Sequence, residues 1–307
     1  MIPEKDLLLT ADGLAVGHEK KLLCGISLGI GPGECILLCG ANGSGKSTLL
    51  RTFAGVLPPL AGNLRTGSTV LIPTRIPKIP GFTLEEFIRV SLYRDGRRAG
   101  QGIRTLIGES LRLLDIENLS LRDISTLSDG EFQRGCIAAA LVRILLSTDS
   151  GAGASGNQIG INDTGTDSSK KQSGTKDSGA EASGKQSGTK DTGAGASGKF
   201  PGIGGIGPGV LYEEANTGKG LILLDEPTAF LDVEGRIHVL RVLRDVALRT
   251  GASILFSSHD LADALTVATR ILGITPDGRI LDVRPEDSAT LFASCFPGYD
   301  RDRRSSR

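Results

Sequence analysis

Residues 40–48 combine glycines, a lysine and hydroxyl side chains in the spacing of a phosphate-binding loop. They read Gly40-Ala41-Asn42-Gly43-Ser44-Gly45-Lys46-Ser47-Thr48. The glycines allow a tight turn whose backbone N–H groups point at phosphate oxygens, with the side chains of the loop around them. We expect the Lys46 ammonium to reach the β and γ phosphates and the Ser47 hydroxyl to bind Mg²⁺. This pattern, the Walker A loop, predicts ATP binding by all of its glycines and by Asn42, Ser44 and Thr48.

The flanks of the Walker A loop predict the strand and helix that the loop needs. The run Cys35–Cys39 is short and apolar, which is typical of a buried strand. Residues 48–54 are helix-like and stop at Gly55. A strand, a glycine-rich turn and a helix in this order support the motif. A glycine turn that contains Lys-Ser-Thr by chance is the alternative, and the number of matching positions disfavours it.

Two adjacent carboxylates, Asp225 and Glu226, follow a second apolar run, Leu221–Leu224. Open α/β sheets bind ligands at the carboxyl ends of their strands. We expect Asp225 to hold Mg²⁺ through water, as the Walker B carboxylate does. Glu226 would polarise the attacking water as a general base, and we count it with Lys46 as catalytic. A polar turn at a strand end is the alternative, which the Walker A loop upstream makes the weaker interpretation.

Three further segments complete an ordered set of motifs. The signature segment, Leu127-Ser128-Asp129-Gly130-Glu131, precedes a long apolar helix, Ala229–Asp232 follows the carboxylates, and Ile254–Asp260 ends in Ser-Ser-His-Asp. In this order the chain resembles the ATP-binding subunits of the ABC superfamily, whose elements are Walker A, signature, Walker B, D-loop and H-loop. The resemblance covers the chain apart from one inserted tract and the C-terminal tail.

The resemblance implies roles for individual residues. His259 matches the H-loop and would contact the γ-phosphate, as the third catalytic residue. Ser128 and Gly130 would face the nucleotide held by the Walker A loop of a partner subunit, and Asp232 would shape the interface between the two subunits. One chain cannot then complete its own site, so two ATP molecules would lie between two copies, the expected homodimer, or between this chain and a paralogue.

The chain also departs from the family pattern at several positions. The usual signature is Leu-Ser-Gly-Gly-Gln, so Asp129 and Glu131 add two carboxylates beside a phosphate site. His18 stands where relatives have an aromatic residue that stacks on adenine, and imidazole offers less area for stacking. Thr74 stands where relatives have the Q-loop glutamine that touches Mg²⁺ and couples to the membrane subunit. Thr74 could supply an oxygen, and we expect a slower or differently coupled ATPase.

Composition restricts the class of protein and its location. The 35 basic and 35 acidic residues balance, which argues against a nucleic-acid partner. No apolar run approaches the roughly 20 residues that span a bilayer, and the N-terminus lacks the apolar region of a signal peptide. We expect a cytoplasmic protein, peripheral on the inner face of the cell membrane, with a separate permease subunit. The five cysteines include no Cys-x-x-Cys pair, so no disulfide framework or zinc site is indicated.

The expected fold class is α/β, a P-loop NTPase (RecA-like) core with an N-terminal antiparallel β subdomain and an inserted α-helical subdomain. One ABC ATPase domain would occupy residues 1–307. Apolar positions recur at helical spacing in Leu84–Leu92, Arg104–Leu114 and Asp129–Leu146, within a helical subdomain of residues 78–147. Residues 56–76 are turn-rich, and residues 285–307 form the C-terminal tail.

Two further predictions concern the two ends of the core. Short apolar segments in residues 1 to about 34 predict antiparallel strands that border the nucleotide. Apolar positions also recur at helical spacing from Val233 to about Arg249, and Gly251 follows as a plausible C-terminal stop.

Residues 148–219 form a low-complexity tract rich in Gly, Ser, Ala, Thr, Lys and Asp. Its two similar units start at Lys171 and Lys185, and neither has an apolar face that could stack into a solenoid. We predict a disordered insertion between the signature helix and the Walker B strand. We favour neutral expansion of the repeat as the explanation of this tract, and a function as a protein-binding tether is the alternative.

The motif details favour one function and leave two alternatives open. Leu-Ser-Asp-Gly-Glu, together with Asp-Glu-Pro-Thr-Ala-Phe-Leu-Asp, resembles the ATPases of importers for ferric siderophores, haem and cobalamin. One alternative is a soluble, non-transport ABC ATPase of the iron–sulfur cluster assembly type. The other is a weakly active nucleotide-binding regulator, which the missing Q-loop glutamine makes conceivable.

Overall fold

The computed structural model describes residues 6–92, 102–149 and 220–296. All of these residues belong to one compact unit. Residues 150–219 of the predicted insertion and residues 297–307 of the predicted tail lie outside the described residues. The disorder expected for the insertion therefore stays a prediction.

The described residues form nine strands and seven α-helices. The strands are β1 (Leu9–Gly17), β2 (Lys21–Ile30), β3 (Cys35–Gly40), β4 (Ala61–Thr66), β5 (Thr69–Ile72), β6 (Leu221–Leu224), β7 (Ser253–Ser257), β8 (Arg270–Ile274) and β9 (Ile280–Val283). The helices are α1 (Lys46–Phe53), α2 (Leu84–Leu92), α3 (Ile103–Leu113), α4 (Asp129–Asp149), α5 (Val233–Thr250), α6 (Leu261–Leu265) and α7 (Ser288–Cys295).

A six-stranded sheet in the order β5-β6-β7-β3-β8-β9 forms the centre of the fold. All neighbouring pairs are parallel except β8 and β9. Every residue of β3, β6 and β7 is buried, because helices or a second sheet cover both faces. Leu38, Leu223 and Leu255 pack towards α1 and the antiparallel sheet, whereas Ile222 and Phe256 pack with the side that contains α4 and α5.

A three-stranded antiparallel sheet, β2-β1-β4, packs against one face of the central sheet. β1 and β2 confirm the antiparallel strands predicted in the first 34 residues. The turn-rich description of residues 56–76 missed both β4 and β5. β4 is mostly exposed and has one large apolar residue, Leu64, so pairing with β1 and not an internal pattern determines its strand conformation.

The three helices predicted upstream of the insertion are confirmed as α2, α3 and α4. α2 begins with a capping box in which Thr83 N donates to Glu86 Oε2 at 2.8 Å and Glu86 N donates to Thr83 Oγ1 at 3.3 Å. The helix expected to start at Val233 is also confirmed as α5, and it ends at Gly251, which has φ 71°.

Helix α7 lies within the segment described from sequence as a tail. Its Leu291, Phe292 and Cys295 are buried, and they pack with the same core as the central sheet. Gly273 of β8 makes this contact possible, because a Cβ atom there would lie 2.7 Å from Cys295 Sγ and 2.8 Å from the Leu291 methyl groups. A helix of eight residues is too short for its apolar spacing to stand out in the sequence.

Substituting Gly273→Ala should lower the free energy of unfolding by about 1–3 kcal/mol, because the buried Leu291 and Cys295 side chains must move to admit the methyl group. Gly108→Ala is the matched control. Gly108 lies inside α3, where an added Cβ meets no atom within 4 Å, so alanine should stabilise by about 0.5–1 kcal/mol. Urea unfolding of both variants measures the difference. Equal effects would show that α7 does not pack on Gly273.

Candidate functional site

The ends of four neighbouring parallel strands bring the predicted site residues together. In the order β5, β6, β7 and β3, these ends are followed by Thr74, by the Walker B carboxylates, by His259 and by the Walker A loop. Leu224 of β6 is in register with Phe256 of β7, so the next residues, Asp225 and Ser257, lie side by side. Adjacent strands are about 4.8 Å apart, which places the groups within reach of one nucleotide.

The Walker A loop has the backbone that its glycines predict. Gly43 has φ 77° and Gly45 has φ 102°, a region in which side chains are strained. Gly45 directly precedes α1, whose first N–H groups have no partner within the helix. The loop therefore presents backbone donors and the positive end of a helix dipole to an anion.

The Lys46 side chain is buried within the Walker A loop. Its Nζ donates to Gly40 O at 2.9 Å and to Ala41 O at 3.2 Å. Burial lowers the pKa of Lys46, and the negative charges of Glu226 and Asp225 oppose that shift. The ammonium is thus close enough to both carboxylates to interact with them electrostatically, as catalysis at one centre requires.

Ser257 connects the two Walker B carboxylate residues. Its hydroxyl donates to Asp225 Oδ1 at 2.9 Å and accepts from Glu226 N at 2.9 Å. Glu226 has φ 55°, an uncommon conformation for a residue other than glycine, and such strain is concentrated at functional sites. Sequence reasoning did not identify Ser257. The signal that identifies Ser257 is the pairing of its strand, β7, with β6, and this pairing is visible only in the folded sheet.

His259 meets Glu226 directly, with 2.5 Å between Nε2 and Oε1. The following residue, Asp260, caps α6 by accepting from Asp263 N, and Arg236 of α5 lies 3.0 Å from its carboxylate. These contacts hold the turn that carries His259. The structure therefore unites Lys46, Glu226 and His259, the three residues predicted to be catalytic.

The residues present fit a nucleotide phosphate with Mg²⁺. Among the described residues, the buried Ser44 hydroxyl has no hydrogen-bond partner, and it lies inside the Walker A loop.

Mg²⁺ needs only one or two protein carboxylates when phosphates complete its shell. Asp225 offers one buried carboxylate for this purpose, and Ser47 lies in the first turn of α1. Thr74 follows β5, two residues after Ile72, which is in register with Leu224. No group of three potential metal-ligating side chains occurs in the described residues, so these residues show no metal centre independent of phosphate.

The other predicted nucleotide contacts lie around the Walker A loop. Asn42 is exposed in the loop, and Thr48 is half-buried on α1. His18 is exposed in the turn between β1 and β2. That hairpin borders the loop, because a Cβ atom on Gly45 would lie 3.5 Å from Leu23.

The signature segment begins α4, and its hydroxyl has a structural role within the chain. Ser128 N donates to Glu131 Oε2 at 2.7 Å and Glu131 N donates to Ser128 Oγ at 3.2 Å, a complete capping box. The bond from Ser128 N is the main cause that lowers the pKa of Glu131. In the described residues, neither Ser128 nor Gly130 hydrogen-bonds the Walker A loop of the same chain.

The D-loop packs beneath the signature segment. A Cβ atom on Gly130 would lie 2.6 Å from Phe230 O, so only glycine allows this approach. Asp232 caps α5 by accepting from Gly235 N at 2.8 Å. The segment that carries Asp232 therefore lies against Gly130 at the N-terminus of α4. Two residues that were predicted to lie towards a partner subunit are thus on neighbouring segments.

Comparisons with known proteins agree with this arrangement, which is that of a P-loop NTPase. The family described as ABC transporter matches residues 23–144. The chain is 27% identical over 301 residues to the hemin import ATP-binding protein of Rhodopseudomonas palustris (strain HaA2), covering 91% of this chain and 87% of that protein. It is 32% identical over 136 residues to the zinc import ATP-binding protein of Roseobacter denitrificans, covering 44% of this chain and 52% of that protein.

Two solved structures share the fold. One is a metal-chelate type ABC transporter in an inward-facing conformation, with TM-score 0.63 and 16% identity, covering 94% of this chain and 89% of that chain. The other is cbiO1 from Clostridium perfringens, with TM-score 0.60 and 17% identity, covering 97% of this chain and 99% of that chain. The family match over residues 23–144 and the likeness to these structures agree with the ABC ATPase fold that the motifs indicated. No helix within the described ranges is both long and apolar enough to cross a membrane.

Replacing Ser257→Ala should lower kcat for ATP hydrolysis by about tenfold, because Asp225 and the strained Glu226 both lose a hydrogen bond. Ser253→Ala is the matched control, since Ser253 is equally buried at the other end of β7 and bonds Gly31 O at 2.6 Å. Both variants should lose similar stability in thermal unfolding, but only the first should lose kcat. A similar fall of kcat in both would mean that Ser257 acts through stability alone.

Proposed function

We propose that this chain binds and hydrolyses ATP as the ATP-binding subunit of an ABC importer, in a dimer beneath a separate permease. The observation that carries the proposal is the meeting of Lys46, the Walker B carboxylates and His259 at one sheet edge. A buried cation beside a strained glutamate and a histidine suits transfer of a phosphoryl group to water.

Each residue of this centre has a part in the proposed reaction. Lys46 leaves the loop carbonyls to bind the β and γ phosphates, and Glu226 accepts the proton of the attacking water. His259, held against Glu226, orients that carboxylate and contacts the γ-phosphate. Ser47, Asp225 and Thr74 would hold Mg²⁺, which would neutralise charge on the phosphate oxygens when bound. Gly40, Gly43 and Gly45 contribute backbone donors, and Asn42, Ser44 and Thr48 line the loop.

The second half of the site comes from a partner subunit. Ser128 and Gly130 lie at the N-terminus of α4, where a hydroxyl and a helix dipole favour phosphate. Within one chain they do not bond the Walker A loop, which supports a role towards the partner's nucleotide. Asp232 fixes the D-loop beneath them, and His18 stacks on adenine. Two copies of this chain would therefore enclose two ATP molecules.

The transported solute is proposed from relatives and motif details. Relatives matched over most of the chain are named for hemin and zinc import, a shorter match is named for aliphatic sulfonate import, and one structural neighbour is of metal-chelate type. Most of these names support a metal-containing solute, for which we propose an iron–siderophore, haem or cobalamin. Residues 78–147 would act as the helical subdomain that meets the permease, and the protein would then lie at the inner face of the cell membrane.

One observation supports a second candidate function. The protein would then be a weakly active regulator or a soluble non-transport ABC ATPase. Thr74 occupies the Q-loop position, and its side chain is shorter than glutamine. Purification of tagged protein from detergent-solubilised native membranes separates the two candidates. Recovery of a polytopic membrane protein supports the importer, whereas recovery of soluble partners alone supports the second candidate.

The substitution Glu226→Gln should lower turnover at least about 100-fold while ATP still binds, because the amide cannot accept the proton. An ATP-bound dimer should then accumulate. Phosphate release and size-exclusion chromatography with light scattering measure the two effects. Glu234→Gln, an exposed glutamate at the start of α5, should change neither. Hydrolysis that is unchanged by Glu226→Gln would contradict the mechanism.

A further inference from the structure

Lys78, in the segment between β5 and α2, touches the signature segment and its helix at three points. Its Nζ lies 2.7 Å from Asp129 Oδ1 and donates to Leu127 O at 2.6 Å. The same ammonium lies 5.9 Å from the centroid of the Phe132 ring. Two of these contacts are made with Leu127 and Asp129, the residues on either side of Ser128. Lys78 therefore fixes the backbone that carries the Ser128 hydroxyl.

The charge of Asp129 creates a need for this contact. Asp129 stands between Ser128 and Gly130, and 67% of its side chain is exposed, against 22% for Lys78. A carboxylate at that point repels a phosphate that approaches the signature segment. The other added carboxylate, Glu131, already accepts the Ser128 N–H in the capping box. Asp129 has no such backbone partner in the described residues, so Lys78 is its main compensating charge.

The surrounding charges favour the same arrangement. The hydrogen bond from Lys78 is the main cause that lowers the pKa of Asp129, and the more distant Arg75 contributes in the same direction. Asp129 is therefore ionised at neutral pH, and its pair with Lys78 is neutral as a unit. Arg75 itself lies 6.0 Å from the Phe230 ring of the D-loop. Residues 75–78 thus contact both segments proposed to meet a partner subunit.

We propose that Lys78 is a positioning residue for ATP-driven dimerisation. It holds the signature backbone at Leu127 and neutralises Asp129, so that Ser128 and Gly130 can receive the partner's γ-phosphate. This role rests on the proposed function, in which the signature segment faces the nucleotide of a second copy. It also explains how an aspartate is tolerated where the family pattern has glycine.

A double-mutant cycle tests this role. Lys78→Gln, Asp129→Asn and the double variant are each made in the Glu226→Gln protein, and the ATP concentration for half-maximal dimerisation is measured by light scattering. Lys78→Gln alone should raise that concentration roughly tenfold, the size expected for loss of a charged hydrogen bond. With Asn at 129 the same change should matter much less, because no uncompensated carboxylate remains. Lys78→Arg should stay within about threefold of the parent.

Arg89→Gln is the matched control, because Arg89 forms an ion pair with Glu85 on α2, away from the signature segment. It should leave dimerisation unchanged, and thermal unfolding of every variant reports purely structural losses. Equal effects of Lys78→Gln with Asp or Asn at 129 would overturn charge compensation while leaving the dimer intact. Failure of the Glu226→Gln parent to dimerise with ATP at all would overturn the proposed function, and with it the role of Lys78.

Discussion

The parallel register of β5, β6, β7 and β3 is the constraint on which the rest of the structure depends. Hydrogen bonding aligns Ile72 with Leu224, Leu224 with Phe256, and Ser257 with Leu38. Because the strands are parallel, the chain leaves each of them at the same edge. Carboxylates, a histidine and a phosphate-binding loop that are far apart in sequence are thereby delivered to one place. A slip of one residue in any pair would reverse which face each side chain occupies.

Burial within this edge sets the electrostatics of the site. Lys46 loses hydration, which disfavours its charged form, and the Walker B carboxylates restore part of that loss. Loop carbonyls satisfy the ammonium, and Ser257 satisfies Asp225. The buried charges are therefore paired or hydrogen-bonded, which is the condition under which a fold tolerates them. A phosphate that replaces the carbonyl oxygens at Lys46 Nζ would find the ammonium and the Walker B carboxylates already in position.

Local motifs predicted more of this protein than long-range packing did. The Walker A loop, the Walker B strand and α5 with its Gly251 stop are encoded over a few neighbouring residues, and each was predicted close to its observed position. β4 and α7 were missed, since β4 depends on pairing with β1 and α7 on the space above Gly273. Ser257 and Lys78 were missed for the same reason. Their partners lie 32 and 51 residues away, Asp225 and Asp129, and nothing local announces them.

The carboxylates added to the signature segment also show how structure changes an interpretation. From sequence, both stand beside a phosphate site, where they would weaken binding unless Asp129 points away. In the fold, Glu131 caps its own helix and Lys78 balances the charge of Asp129, so the segment has a defined shape and one of its two added charges is compensated. The departure from the family pattern is thus accommodated by neighbouring groups.

The measurement that tests this account most directly is an experimental structure of the Glu226→Gln protein with Mg²⁺ and ATP. The account predicts two chains enclosing two nucleotides, with Lys46 Nζ on the β and γ phosphates and Mg²⁺ beside Ser47 and Asp225. Ser128 of the opposite chain would face each γ-phosphate. A nucleotide bound away from the Walker A loop, or a single chain that encloses its nucleotide unaided, would contradict it.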